Sequence, residues 1–175
     1  QRLRVTTRSA EFAQRLPKLF KNAFSVEFDS RPADINTGGR LSFEVTDPEK
    51  MERILETYGY ARENIISHHI NYAVLEEECC RAAFLRGAFL AGGSVTDPEK
   101  RYHLELTTSH LYVHRELQSL LMDMGFEPKT VNRNNNYVTY IKRSEVIADF
   151  LTTVGAPLSA MEIMTAKVEK NLRNG

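Results

Sequence analysis

The chain is poor in cysteine: of its 175 residues only Cys79 and Cys80 are cysteines, and they are adjacent. Neighbouring thiols cannot staple distant parts of a chain and do not make a four-ligand zinc site. Net charge is also missing, since 23 Lys and Arg balance 23 Asp and Glu, so no bulk basicity announces a polyanion partner. No apolar run approaches the ~20 residues that cross a bilayer, because Arg81 and Arg86 interrupt the most apolar segment. No signal-peptide pattern opens the sequence. No membrane partner is expected, and a reducing cytoplasm is the expected compartment, with nucleoid association if DNA is the partner.

Glycine-rich phosphate cradles are absent too. Gly92-Gly93 follows a helix and leads into a strand, the reverse of a strand-loop-helix phosphate loop. No nucleophile is paired with a base. His110 and His114 stand four apart, but no third ligand accompanies them and they read as surface residues. His68 and His69 read as solvated residues of a polar linker. Neither a metal nor a cofactor is expected.

What is present is a core and a repeat. With 42% hydrophobic and 26% charged residues, the chain can bury a core at this length. Charge is unevenly spread: from Arg2 to Lys21 six basic residues face the single acid Glu11, so one face can be positive in a neutral whole. The segment Leu3-Arg4-Val5-Thr6-Thr7 matches Leu104-Glu105-Leu106-Thr107-Thr108 at an offset of 101. Each is an alternating strand followed by a helix, with stripes Phe12, Leu16, Leu19, Phe20, Ala23 and Leu111, Leu117, Leu120, Leu121, Met124.

Ser9 is the expected N-cap of the first helix and Ser109 or Thr108 that of the second. Gly125 is placed to end the second, and Pro17 to bend the first. Strands at 41–45 and 137–141 come next, then helices closed by Gly59 and Gly155, at an offset of 96. The difference of five falls in loops expected at 29–39 and 129–136. Val-Thr-Asp-Pro-Glu-Lys occurs at both Val45 and Val95, but its offset aligns no flanking pattern. The first copy reads as a helix start and the second as a hairpin turn.

The second repeat begins earlier, with a helix over Glu78 to Ala91. Subtracting 101 from Cys79 places the matching helix ahead of residue 1, so the first repeat is expected to lack its initial helix in this chain. Gly87 and Ala91, four apart on one helix face, would let a neighbouring helix approach closely. That neighbour would come from a lost segment, from another copy of the chain or from the chain's own helices.

Leu85-Arg86-Gly87-Ala88-Phe89-Leu90-Ala91-Gly92-Gly93 resembles the LAGLIDADG helix of homing endonucleases. The longer stretch Glu78 to Val95, with Asp97 to Lys100 and Tyr102-His103-Leu104-Glu105, is similar to the segment that marks the WhiA family of bacterial transcription regulators. The resemblance implies an α+β fold with pseudo-twofold symmetry, built from two αββαββα repeats with antiparallel sheets. Residues 1–60 would be the incomplete first repeat, 61–77 a linker, 78–156 the second repeat, and 157–175 a helical connector toward a C-terminal helix-turn-helix domain.

It implies further that each central helix ends on a metal-binding carboxylate in the endonucleases. Aligned on Leu85, that position falls on Gly92, which offers no oxygen ligand. Glu76, Glu77 and Glu78 lie at the other end of the helix, about 20 Å away. The catalytic centre is therefore expected to be degenerate and the chain not an enzyme; nuclease activity would need an acid on the missing first helix.

If the sheet is the working surface, residues alternating away from the helices line it. The candidates for duplex DNA are Arg2, Arg4, Arg40, His103, Tyr140, Lys142 and Arg143, although Glu44 and Glu105 point outward as well. The expected function is DNA binding within a regulator of sporulation and cell division. The alternative is a platform that docks other transcription factors or the chain's own helix-turn-helix domain.

Overall fold

The computed structural model describes residues 2–60 and 68–174. The described residues fall into two compact units, 2–60 and 68–174. In the first unit β1 (Leu3–Thr7), α1 (Ala10–Phe24), β2 (Leu41–Val45) and α2 (Pro48–Thr57) succeed one another. The two strands pair antiparallel with Val5 opposite Phe43. The strict alternation of β2 buries Leu41, Phe43 and Val45 and turns Ser42 and Glu44 away. Phe20, Phe24, Phe28 and Phe43 knit this core through ring contacts of 4.4 to 5.2 Å, within the range where edge and tilted aromatic pairs attract.

Ser9 caps α1 as its position implies, accepting the Phe12 amide at 3.1 Å. The buried stripe of α1 differs from the expected one by a rotation. Ala13, Leu16 and Phe24 are buried with Phe12 and Phe20 beside them, whereas Leu19 is 45% exposed and Ala23 is exposed. Two strands offer the helix a narrow platform, and the outer edge of its apolar arc finds no cover on it. Pro17 lies inside α1 and removes the amide that would have bonded to the Ala13 carbonyl.

Asp29 anchors the start of α2. Its carboxylate accepts the Thr46 and Asp47 amides at 2.7 and 3.0 Å and pairs with Lys50. The Lys50 ammonium, then the two amides, hold the acid far below the ordinary carboxylate range.

The second unit opens with a 3-10 turn at Tyr72–Val74, then α3 (Glu78–Gly92), β3 (Gly93–Val95), β4 (Leu104–Thr108), α4 (Leu111–Asp123), β5 (Lys129–Arg133), β6 (Asn136–Ile141), α5 (Ser144–Thr153) and α6 (Pro157–Asn174). Its sheet is antiparallel throughout, in the order β3-β4-β6-β5. Leu85 of α3, Leu104 of β4, Leu120 and Leu121 of α4, and Ile147 and Phe150 of α5 are almost wholly buried in one core. Gly59, Gly125 and Gly155 all take left-handed φ after their helices, as their placement implies.

The repeated hexapeptide adopts both expected structures. In each copy the Asp side chain accepts the amide of the Glu two residues on, Asp47 from Glu49 at 2.9 Å and Asp97 from Glu99 at 3.0 Å. The residues downstream decide the outcome. Met51, Ile54 and Leu55 continue a helical period, whereas Tyr102-His103-Leu104-Glu105-Leu106 alternates into β4 and Thr96 donates to the His103 carbonyl at 2.8 Å.

Several expectations are corrected. Residues 129–136 are not a loop: β5 and β6 form a hairpin joined by Asn134-Asn135, both at positive φ, the conformation that a two-residue primed turn requires. The N-cap of α4 is His110, with no side-chain cap, and Thr108 accepts the His110 amide instead. His114 is not a surface residue: it is 7% exposed, stacked on Tyr137 and within 3.1 Å of the Thr139 hydroxyl. Burial pushes its imidazole pKa down, with Arg115 adding to the effect.

His69 is not simply solvated either, since it contacts Glu116 at 2.7 Å and stacks on Tyr112, while His68 packs against His110. In the described part of the expected linker, Ile70 and Leu75 enter the second core. So do Ala160 and Ile163 of α6, which packs along α5. Residues 61–67 of the expected linker lie outside the described residues.

Candidate nucleic-acid interface

The outward face of the second sheet is set by register. Thr139 and Tyr137 touch His114 of α4, so alternation sends Val138, Tyr140 and Lys142 to the opposite face, as the repeat alignment implies. Across the strands Ser94, Glu105, Tyr140 and Lys129 fall in one row. His103 joins this face at the start of β4, stacking on Tyr140 at 5.6 Å and bonding Glu105 at 2.9 Å. Only 9% of His103 is exposed, which corrects its reading as a free surface contact. Glu105 and Tyr140 cover it.

Lys142 places its ammonium 5.3 Å from the centre of the Tyr140 ring, a cation–π contact that keeps the charge at the surface. Arg133 reaches Glu105 at 3.5 Å yet stays 55% exposed. The face thus carries three exposed cations, Lys129, Arg133 and Lys142, against one acid, Glu105. Sequence reasoning misses Lys129 and Arg133 because their segment reads as a loop. The run Asn134-Asn135-Asn136 directly after Arg133, suited to a tight hairpin turn, is the available signal. Arg143 lies past the strand at the start of α5, 3.4 Å from Glu127, and so belongs to the helix end.

In the first unit Arg4 bonds Glu44 at 2.6 Å and Arg2 approaches the same carboxylate at 3.9 Å. Arg40, just before β2, is exposed with no ion-pair partner among the described residues. Three cations again accompany one acid. Exposed pairs of this kind hold a side chain in place weakly, at ~1 kcal/mol or less, so a phosphate can compete for the guanidinium.

Gly92 has no room for the missing carboxylate. A Cβ built on it would lie 2.3 Å from the Thr107 carbonyl oxygen of β4, where ordinary van der Waals contact needs over ~3 Å. At Gly93 the same atom would meet the Phe89 ring at 2.4 Å and its Cα at 2.7 Å. The end of α3 is therefore packed backbone on backbone against the sheet. The helix's other small residues behave oppositely: Gly87 has nothing within 4 Å of its would-be Cβ, and Gly87 and Ala91 are both exposed. Packing of these two against the chain's own helices, one of the expected arrangements, is not found among the described residues. Nor is any group of three His, Cys, Asp or Glu placed there to hold a metal, and no helix there is long and apolar enough to cross a membrane.

Antiparallel sheets backed by helices, with a glycine-ended helix running directly into a strand, define a LAGLIDADG-like domain. The solved structure of a LAGLIDADG protein, I-DmoI in complex with DNA and Mn, superposes on 87% of the chain with a TM-score of 0.60 at 15% identity, over 80% of that protein. Full-length DUF199/WhiA from Thermatoga maritima superposes on 97% with a TM-score of 0.70 at 21% identity, over 53% of its own length. The family model described as the WhiA LAGLIDADG-like domain matches residues 81–173. The chain belongs to the WhiA family. Relatives named "Probable cell division protein WhiA" include those of Ruminiclostridium cellulolyticum, 33% identical, and Alkaliphilus oremlandii, 36% identical, each aligned over 98% of the chain. The chain spans 56% of the length of these relatives.

Proposed function

We propose that this chain is the non-catalytic, DNA-binding part of a bacterial transcription regulator of sporulation and cell division. In this reading the outer sheet faces bind duplex DNA weakly, and a C-terminal helix-turn-helix domain beyond α6 supplies most of the sequence reading. The protein then works in the cytoplasm, associated with the nucleoid. The observation that carries the reading is the exposed trio Lys129, Arg133 and Lys142 around Tyr140. It is a small cationic face with one acid to steer it, suited to phosphate contacts and guanine edges. Gly92 supports the non-catalytic half, because the backbone of β4 occupies the space a metal-binding carboxylate would need.

A second reading is favoured by one observation: Glu44 already engages both Arg2 and Arg4, as in a face that docks a protein. Salt titration separates the two. Removing one phosphate contact should flatten the slope of log K against log[salt] by about 0.9. Lys129→Ala and Lys142→Ala are each expected to do so in a duplex-binding assay. Affinity that does not depend on salt, or that neither substitution changes, would refute the DNA reading.

A further inference from the structure

The second unit carries an unpartnered apolar face away from its sheet. One side of α6 is buried through Ala160 and Ile163. On the opposite side Leu158, Met161, Thr165, Val168 and Leu172 recur at alternating steps of three and four. That is the period of a helix seam that meets another helix. Leu158 is 75%, Met161 65% and Leu172 78% exposed. Isolated exposed apolar residues are ordinary, but a continuous stripe of them is not.

Beside the stripe runs a groove of about 620 Å³, between α6 and the β3–β4 turn. Pro98, Leu158, Met161 and Ala166 form its apolar floor, and every ionisable group that lines it is an acid: Asp97, Glu99, Glu162 and Glu169. The three cations that α6 itself sets beside the groove are already committed, and Lys100 and Arg101, exposed in the β3–β4 turn, do not line it. Lys167 pairs with Glu145, Lys170 donates to the Pro98 carbonyl, and Arg173 lies 3.3 Å from Glu99 and 3.7 Å from Glu169. Asp97 and Glu162 have no cation among the described residues.

We infer that this groove docks a basic amphipathic helix of a partner protein. Its apolar side would lie on the stripe, and its Lys or Arg residues would run along the acidic edge. Charge complementarity selects this occupant. Asp97 and Glu162, left without a cation, disfavour a nucleic acid, and a second copy of the chain would bring the same two acids to the seam. The proposal is independent of the DNA reading, because it uses neither outer sheet face. A regulator so built would hold DNA with one surface and a basic protein segment with another.

The test is fluorescence anisotropy with the full chain and a labelled peptide as long as α6, with leucines at helical spacing and lysines elsewhere. A twin with glutamate in place of lysine and a scrambled version accompany it. The basic peptide is expected to bind at least about tenfold tighter than either. Met161→Ser should weaken binding about tenfold, and Glu162→Lys should narrow the gap between the basic peptide and its twin; both positions face solvent, and circular dichroism checks that the fold is kept. Equal binding of the twin, no binding of the basic peptide, or binding untouched by both substitutions would overturn the proposal. So would sedimentation showing a dimer of the chain that Met161→Ser dissolves, which would assign the stripe to a second copy.

Discussion

Restoring a side chain at Gly92 should damage the protein, and the sign of the effect is the informative part. Gly92 closes α3 and is not among the glycines at left-handed φ, so helix propensity alone favours alanine there by up to ~1 kcal/mol. Against that stands a Cβ 2.3 Å from the Thr107 carbonyl oxygen. The strand cannot retreat: β4 lies between β3 and β6, and its Leu104 and Leu106 are at most 3% exposed. Overpacking of this kind costs about 1–3 kcal/mol where side chains can yield, and a backbone atom yields less. Gly92→Ala is therefore expected to destabilise by about 2 kcal/mol net, a fall in Tm of roughly 10 °C for a unit of this size. Gly87→Ala is the control. It lies on the same helix with open space around it, so it should gain ~1 kcal/mol and raise Tm by roughly 4 °C. Calorimetry on the two variants decides. A Gly92→Ala protein as stable as its parent would refute the close approach, and a lowered Tm for Gly87→Ala would refute the open face.

Single contacts set three further outcomes. The His114 pKa is depressed by burial, so below about 6.5 the unfolded chain takes up the proton first and the native state loses stability. The urea midpoint should fall between pH 7 and pH 5 more in the parent than in His114→Gln, and identical falls would contradict the assignment. Glu145 is held at about 2, against an ordinary 4.5, chiefly by Lys167. Its contribution is complete above 4.5 and lost as pH falls through 2, and Lys167→Met should return its NMR titration toward the ordinary value. At the β5–β6 turn Asn135 has φ 62°, so Asn135→Gly should stabilise by a few tenths to ~1 kcal/mol in denaturant melts.

Much of the architecture was legible because it is local. Ser9 caps α1, Asp47 caps α2, and Gly59, Gly125 and Gly155 end helices by rules that act over a few residues. The alternation of β2 was equally plain. What escaped depends on neighbours distant in sequence. All five residues of β5 are exposed, so no apolar alternation marked it, and only the Asn-Asn turn could have. His103 is covered by Tyr140 from the neighbouring strand together with Glu105, and His114 by Tyr137 and Thr139. The spacing of His114 from Leu117 and Leu121 was the one hint that it faces inward. At Gly92 the sequence revealed the absence of a carboxylate, whereas the reason none can fit lies in a carbonyl of β4.

The central claim is DNA binding without DNA cleavage, and supercoiled plasmid tests both halves at once. Incubated with the chain at low salt, with and without Mg²⁺ or Mn²⁺, the plasmid should shift on a gel, lose that shift steeply as salt rises, and stay supercoiled in every lane. Nicked or linear product that requires the divalent ion, or no shift even in dilute buffer, would contradict the account.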